Sequence, residues 1–367
     1  MKISHCSLNP NKDIVMFSHG LTGHRSNWLR VFMAEAKRQK RKIHYVMGTN
    51  LAGEKILHSM QHKNEDVLCL HISLAGSKGV GQEVLELRAR YPQVLISTGE
   101  GEEWLRLIWR LRRKVRVLFM RPYLQGFSFK SLRNYVVKFF VIGFISCFQS
   151  SKIGLLAIPR DNPTLFRSKW IDEMSSIREI PNEKRLFIYE NLLDEVGLPA
   201  DAEMVLVPGF ITQRKNPELL INAFTIFQKS YSRDRCVLLF SGKVDENVKE
   251  LINRYQSESI FCLDRYLTEE EYSCLLSNCK LVILAYSNRA SSGVLVDCLD
   301  LARKVIFTGD RRWQNLFNSV PNLLIKGRKK PSELAEQIWI GLTSAQKIHD
   351  RVLWRSDRED ILQFFFN

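Results

Sequence analysis

Two adjacent cations, Arg214 and Lys215, stand in the turn GFITQRKN (209–216), between the apolar run MVLVP and the amphipathic stretch PELLINAFTIFQKSY. A helix N-terminus already carries partial positive charge, so cations placed there cost stability unless an anion arrives. Phosphate suits such a place, because exposed backbone amides and the helix dipole both favour it. A second turn, YSNRASSGVLVDCLD (286–300), offers Ser291, Ser292 and Gly293 ahead of a helix that carries Asp297. Hydroxyls and amides there suit phosphate, and a nearby carboxylate suits ribose hydroxyls. A third, SHGLTGHRSNW, brackets a turn with Gly20 and Gly23 and sets His24 and Arg25 at the mouth of a helix; a fourth, STGEGEEWLR, carries Glu100, Glu102 and Glu103.

Each turn also has a plainer reading. Arg214 and Lys215 fit a solvated pair, Ser-Ser-Gly a capping turn, the two glycines an ordinary helix entry, and the glutamates a favourable charge at a helix start. His24, at the mouth of its turn, could reach a substrate hydroxyl or phosphate, and His71 alternates within VLCLHIS, yet either fits a satisfied structural histidine. Neither HExxH nor a Cys or His cluster with ligand spacing occurs, so no metal is expected.

These turns need elements to hold them. Apolar runs (DIVMFSHG, KIHYVMG, DVLCLHIS, QVLISTGE, VRVLFMRP) alternate with helical stretches, one of them near 27–39. The rhythm resumes with MVLVPG, VLLFSGK, DENVKELINRYQ, SIFCLDRYL, EEEYSCLLSN, LVILAYS, VLVDCLDL and KVIFTGD. Strand, turn and helix in repetition predict parallel sheets covered by helices on both faces, an α/β fold in two doubly wound halves. The 367 residues, 45% of them hydrophobic, suffice for two cores. The polar stretch 175–203, with Pro181 and Pro199, predicts the seam. In open parallel sheets ligands bind beyond the carboxyl ends of the strands, where all four turns lie.

Charge is unevenly placed. Residues 1–180 hold 29 Lys plus Arg against 14 Asp plus Glu, a surplus of 15, whereas residues 181–367 hold 25 of each. The N-terminal half is therefore expected to meet an anionic surface or ligand, unless the bias is a general one with no partner behind it. Eight scattered cysteines read as reduced thiols of a cytosolic chain, and the first residues lack the apolar core of a signal peptide. VVKFFVIGFISCF (136–148), broken by Lys138, is too short to cross a bilayer.

VLVPGFITQRKNPELLINAF resembles the segment in which retaining glycosyltransferases of family 4, built on the GT-B architecture, carry G-R-x-x-x-x-K-G ahead of an L-L-I-x-A-F helix. Gly209 and Lys215 match; Phe210 replaces the arginine, which the neighbouring Arg214 could supply, and Asn216 replaces the final glycine. The later elements follow in the family's order over most of 186–345. Aligning VDCLDLARKVI with L-E-A-M-A-x-G-x-P-V-V puts Asp297 at the second glutamate of the E-x7-E motif, Arg289 at the first, and Ala302 and Lys304 at its glycine and proline.

The resemblance implies two Rossmann-like domains facing across a cleft. Residues 1–180 would form the basic acceptor side, 181–345 the nucleotide-sugar side, and 346–367 a helical segment crossing back. It also implies a nucleotide-diphosphate sugar as co-substrate, transfer with retention of configuration, and no metal. Its implied catalytic set is His24, Arg214 and Lys215. The donor set adds Gly20, Gly23, Gly209, Tyr266, Ser291, Ser292, Gly293 and Asp297, with Asp297 on the ribose. Arg25, Glu100 and Arg121 fall on the acceptor side. The Arg289 substitution leaves a binding-only or degenerate GT-B protein as an alternative.

Within 104–144, Arg106, Arg110, Arg112, Arg113, Lys114 and Arg116 precede a strand, and Phe127, Phe129, Tyr135, Phe139, Phe140 and Phe144 then mingle with Lys130, Arg133 and Lys138. Aromatics among cations suit a helix lying on an anionic membrane, so a peripheral enzyme at its cytoplasmic face acting on a lipid-linked or envelope saccharide acceptor is expected. The competing readings are aromatics in the core under a solvated basic face, or a nucleic-acid surface, for which no recognised module is present.

Overall fold

The structure, a computed structural model, describes residues 180–344 except 257–258, 287–291 and 309–322. Of the earlier residues it describes 13–17, 24–48, 66–73, 82, 84–87, 93–96, 115–119, 129–147, 152–157, 168–172 and 177. The chain divides into two compact units, with the change between Glu173 and Met174.

The first unit holds a seven-stranded parallel sheet: β1 (Ile14–Phe17), β2 (Ile43–Gly48), β3 (Leu68–Ser73), β4 (Gln93–Ile96), β5 (Val115–Phe119), β6 (Lys152–Ala157) and β7 (Ser168–Asp172). Their order is β3-β2-β1-β4-β5-β6-β7. β1 lies between β2 and β4, with Ile14 in register with both Ile43 and Gln93. Helix α1 (His24–Arg38) brings Leu29, Phe32, Met33 and Ala36, spaced i, i+3, i+4, i+7, into the core. Helix α2 (Phe129–Ser146) follows β5.

The second unit repeats the plan with six parallel strands: β8 (Glu203–Pro208), β9 (Cys236–Ser241), β10 (Ile260–Leu263), β11 (Leu281–Leu284), β12 (Val305–Phe307) and β13 (Leu324–Lys326). They run in the order β10-β9-β8-β11-β12-β13. β8, β9 and β11 are buried along nearly their whole length, which is why they read as continuous apolar runs and not as alternations. Helices α3 (Asn182–Val196), α4 (Pro217–Tyr231), α5 (Glu246–Tyr255), α6 (Glu269–Asn278), α7 (Gly293–Asp300) and α8 (Pro331–Thr343) complete it. α4 and α8 share one core surface, where Tyr231 and Trp339 stack at 4.6 Å.

Much of the stretch expected as the seam is α3. Its Leu192 and Leu193 are buried, and Gly197 closes it in the left-handed conformation at φ 74°. Two doubly wound sheets, one per unit, agree with the α/β reading of the sequence.

Candidate functional site

In each sheet the strand order reverses once, between β1 and β4 and between β8 and β11. Such reversals open a crevice beyond the carboxyl ends of the strands, where α/β folds bind ligands. The second is formed by the segment after β8, which carries Gly209, Arg214 and Lys215, and the segment after β11, which leads to Ser292 and Gly293.

The first of these segments is tightly determined. Gly209 has φ +84°, and its amide donates to Ser241 O at 2.8 Å. A Cβ on Gly242, itself at φ +123°, would stand 2.7 Å from Gly209 O, so the segments after β8 and β9 pass in direct backbone contact. Ile211, fully buried, bridges to Val244 and pins the turn. Gln213–Lys215 then form one 3-10 turn, and α4 starts at Pro217, a residue suited to a first helical position.

Within this turn Lys215 is buried. Its Nζ donates to the Pro208 carbonyl and lies 3.3 Å from where a Cβ of residue 209 would be, which gives Gly209 a second reason to lack a side chain. No carboxylate pairs with it among the described residues. Burial, and then the neighbouring Arg214 charge, push its pKa down to about 7. Arg214 is half-buried and lies over the ring of Tyr286, its Cζ 5.0 Å from the centroid.

Tyr286 belongs to the other segment. Its hydroxyl lies 2.9 Å from Ser292 Oγ, and Ser292 Oγ in turn accepts the Leu295 amide at 3.2 Å, capping α7. Asn216 Nδ2 donates to Ala285 O at 2.6 Å, tying the start of α4 to the end of β11. The two segments are thus joined by the Asn216–Ala285 hydrogen bond and by an Arg214–Tyr286–Ser292 chain. Two helix starts and two cations converge on one reversal, an arrangement that can hold a diphosphate.

Asp297 is placed differently. It is fully buried, and its Oδ2 accepts the Tyr272 hydroxyl at 2.8 Å. Burial first, and then the Asp297 charge, raise the Tyr272 pKa well above its usual value, so the phenol stays a donor. The carboxylate expected on a ribose is covered within the protein. Tyr266, on the loop after β10, is 62% exposed, and no contact among the described residues joins it to Arg214, Lys215 or Ser292. Lys243 is tied to Asp264 at 3.1 Å, as is Lys249 at 2.7 Å. Although burial alone would raise the Asp264 pKa, Lys249, the Val244 amide and Lys243 hold it at about 2.

In the first unit, His24 and Arg25 begin the backbone of α1. Gly20, Gly23, Glu100, Arg121, Ser291 and Arg289 lie outside the described residues, as do Arg112, Arg113, Lys114 and the segment 346–367. Sequence reasoning did not single out Gly242, Tyr272 or Tyr286, and marked Asn216 only as the replacement of an expected glycine. Two of them carried a local signal: Tyr286 directly follows the LVILA run, and Gly242 directly follows VLLFS.

The positions where the resemblance expects glycine are informative. Asn216 has φ 48° and Ala302 φ 51°, so both keep the left-handed backbone that glycine fills without strain. Lys304, at the expected proline, is buried and donates to Gly341 O at 3.0 Å and to Ser344 O, closing the end of α8.

Solved structures share this plan over nearly the whole chain. The architecture is GT-B. Sucrose-phosphate synthase from Thermosynechococcus elongatus superposes with a TM-score of 0.64 at 13% identity, covering 97% of this chain and 95% of its own. HepE of Anabaena in complex with UDP-glucose gives 0.62 at 14% identity, over 97% and 93%. WaaG, a glycosyltransferase involved in lipopolysaccharide biosynthesis, gives 0.60 at 12% identity, over 96% and 94%. UDP-N-acetylglucosamine 2-epimerases share the architecture as well. No protein-family model matches the sequence. No curated protein matches it either.

Proposed function

We propose that this chain is a glycosyltransferase that takes a sugar from a nucleotide-diphosphate donor held at the β8/β11 reversal and passes it to an acceptor with retention of configuration. The observation that carries this reading is the Arg214–Lys215 pair, seated between two helix starts, with Lys215 buried and facing no carboxylate among the described residues. Negative charge grows on the diphosphate as the glycosidic bond breaks, and preorganised donors aimed at that charge lower the barrier. Arg214, held by Tyr286, and Lys215, held under Gly209, supply these donors, so the proposed reaction needs no metal. The sugar carbon passes through an oxocarbenium-like state, for which no protein nucleophile is assigned. His24 is proposed to contact the donor phosphate or a substrate hydroxyl.

The basic N-terminal half is proposed to receive a lipid-linked or envelope saccharide acceptor, with the protein peripheral at the cytoplasmic face of a membrane. A thermal-shift screen of nucleotides and nucleotide sugars identifies the donor, since specific binding raises apparent stability. Incubation of the stabilising nucleotide sugar with lipid-linked acceptors, followed by NMR of the anomeric carbon, then tests transfer. Epimerised free nucleotide sugar, or binding without turnover, overturns the transferase reading.

Lys215 adds a pH signature. Its folded pKa of about 7 lies below that of an unfolded lysine, so raising the pH above 7 removes a proton from the folded protein first. The free protein should gain stability from about pH 7 to about 10, because the unfolded chain there holds more protons. Affinity for an intact nucleotide sugar should fall over the same window by up to about tenfold per pH unit, because the phosphate requires the charged lysine. Titrations of the wild type and Lys215→Met, with melting curves across this range, check both signs: the variant should show neither trend.

A further inference from the structure

The helix α2 presents apolar side chains outward as well as inward. Lys138, Val141 and Ile142 are buried, while Leu132, Val136, Val137, Phe139 and Phe140 are exposed, Leu132 by 49% and Phe140 by 69%. Leu132, Val136 and Phe140 repeat at i, i+4, i+8 and form one ridge; Arg133 and Val137 run beside it. Phe139 meets Phe140 edge to face at 6.4 Å, which widens the ridge at its far end. An outward apolar strip of this kind on a charged chain marks a contact surface.

The surrounding charge selects the partner. From Trp104 to Arg160 the sequence contains no Asp or Glu over 57 residues, against 12 Lys plus Arg; on α2 itself Arg133 is exposed, whereas Lys138 is buried. A second copy would bring the same positive surface against itself, which electrostatics disfavours. Nucleic acid calls for aromatic stacking platforms along a cationic groove, whereas Leu132 and Val136 offer a base no ring to stack on. An anionic bilayer satisfies both features at once: headgroups meet the cations, and the acyl boundary takes the apolar ridge. No described helix is long and apolar enough to cross a membrane, so α2 would lie along the surface.

We propose that α2 is the docking element of this chain, with Leu132, Val136 and Phe140 inserted into the interface of an anionic membrane and the neighbouring cations on its headgroups. This rests on the membrane-surface reading above and is independent of the donor chemistry. The test is flotation of the full chain with vesicles of phosphatidylcholine alone and of phosphatidylcholine with phosphatidylglycerol. Wild type should float with the acidic vesicles only. The triple variant L132S/V136S/F140S should lose at least tenfold of that binding while keeping the wild-type melting temperature and nucleotide-sugar affinity.

F140W supplies a readout that a folding defect does not imitate. Its added tryptophan fluorescence should shift to the blue on acidic vesicles and be quenched by lipids brominated in the acyl chain. Equal flotation of the serine variant places docking on cations elsewhere and overturns the assignment of α2, leaving the peripheral reading intact. No flotation of wild type overturns both. Dimeric wild type and monomeric serine variant in solution identify a second copy as the occupant and overturn the proposal.

Discussion

The two sheets reach the same strand order with opposite surface chemistry. In the second unit the charges balance, and the exceptional cations are two side chains drawn into the β8/β11 reversal, one of them buried. In residues 1–180 the whole surplus of 15 is spread over the sequence, and the described apolar surface of the first unit gathers on α2. The strand order supplies a crevice in either case; under the proposed reading, local placement of cations makes the second a pocket for a small anion and the first a field for a large one. Short-range, desolvated charge binds strongly and resists salt, while surface charge is screened beyond about 8 to 10 Å.

The strongest test of this contrast is the pair of site cations. Arg214→Ala and Lys215→Ala should each weaken nucleotide-diphosphate binding by about 1.5 to 3 kcal/mol, roughly tenfold to a hundredfold, and lower turnover with folding retained. Wild-type donor affinity in the double variant, measured by calorimetry, removes the site from the β8/β11 reversal.

Next in size is Gly242→Ala. A Cβ 2.7 Å from Gly209 O, on a backbone at φ +123°, should cost about 2 to 4 kcal/mol of stability in denaturant melts and loosen donor binding through the displaced turn. An unchanged midpoint and affinity would show that the clamp between the segments after β8 and β9 is dispensable.

Tyr272→Phe should cost about 1 to 3 kcal/mol by leaving the Asp297 carboxylate short of a buried donor. If Asp297 is purely structural, Asp297→Asn alters stability while ribose and deoxyribose nucleotides keep the same affinity ratio as in wild type. A changed ratio supports the ribose role that the resemblance implies.

The smallest effect per residue belongs to the distributed charge. Neutralising Arg112, Arg113 and Lys114 should weaken binding to acidic vesicles by about 1 kcal/mol per cation, less as salt rises, with nucleotide-sugar affinity unchanged. A matching loss of donor affinity would break the separation between the two regions.

Several features were legible without coordinates. Continuous apolar runs give parallel strands, because a strand buried on both faces tolerates little else. The strand-to-helix turns carrying Arg214, Lys215 and Ser292 stood out because local residue types already conflict with, or cap, a helix start. The phase of α2 was not legible. Lys138 is buried while Phe140 is exposed, the reverse of what residue type suggests, because helix phase against the sheet decides which side faces solvent and a lysine stem can pack under apolar neighbours.

What the sequence by itself determined is the α/β alternation, the division of charge between the halves, and the turn that concentrates two cations. These depend on local periodicity, composition and helix electrostatics, all of which act over a few residues. Tertiary structure alone decided that Tyr286 carries Arg214, that Gly242 makes room for Gly209, that Asn216 and Ala302 keep a glycine's backbone, and that Tyr272 covers Asp297. Those relations join segments separated by up to 72 residues, Arg214 and Tyr286 among them, and arise only when the strand order brings β8 and β11 side by side.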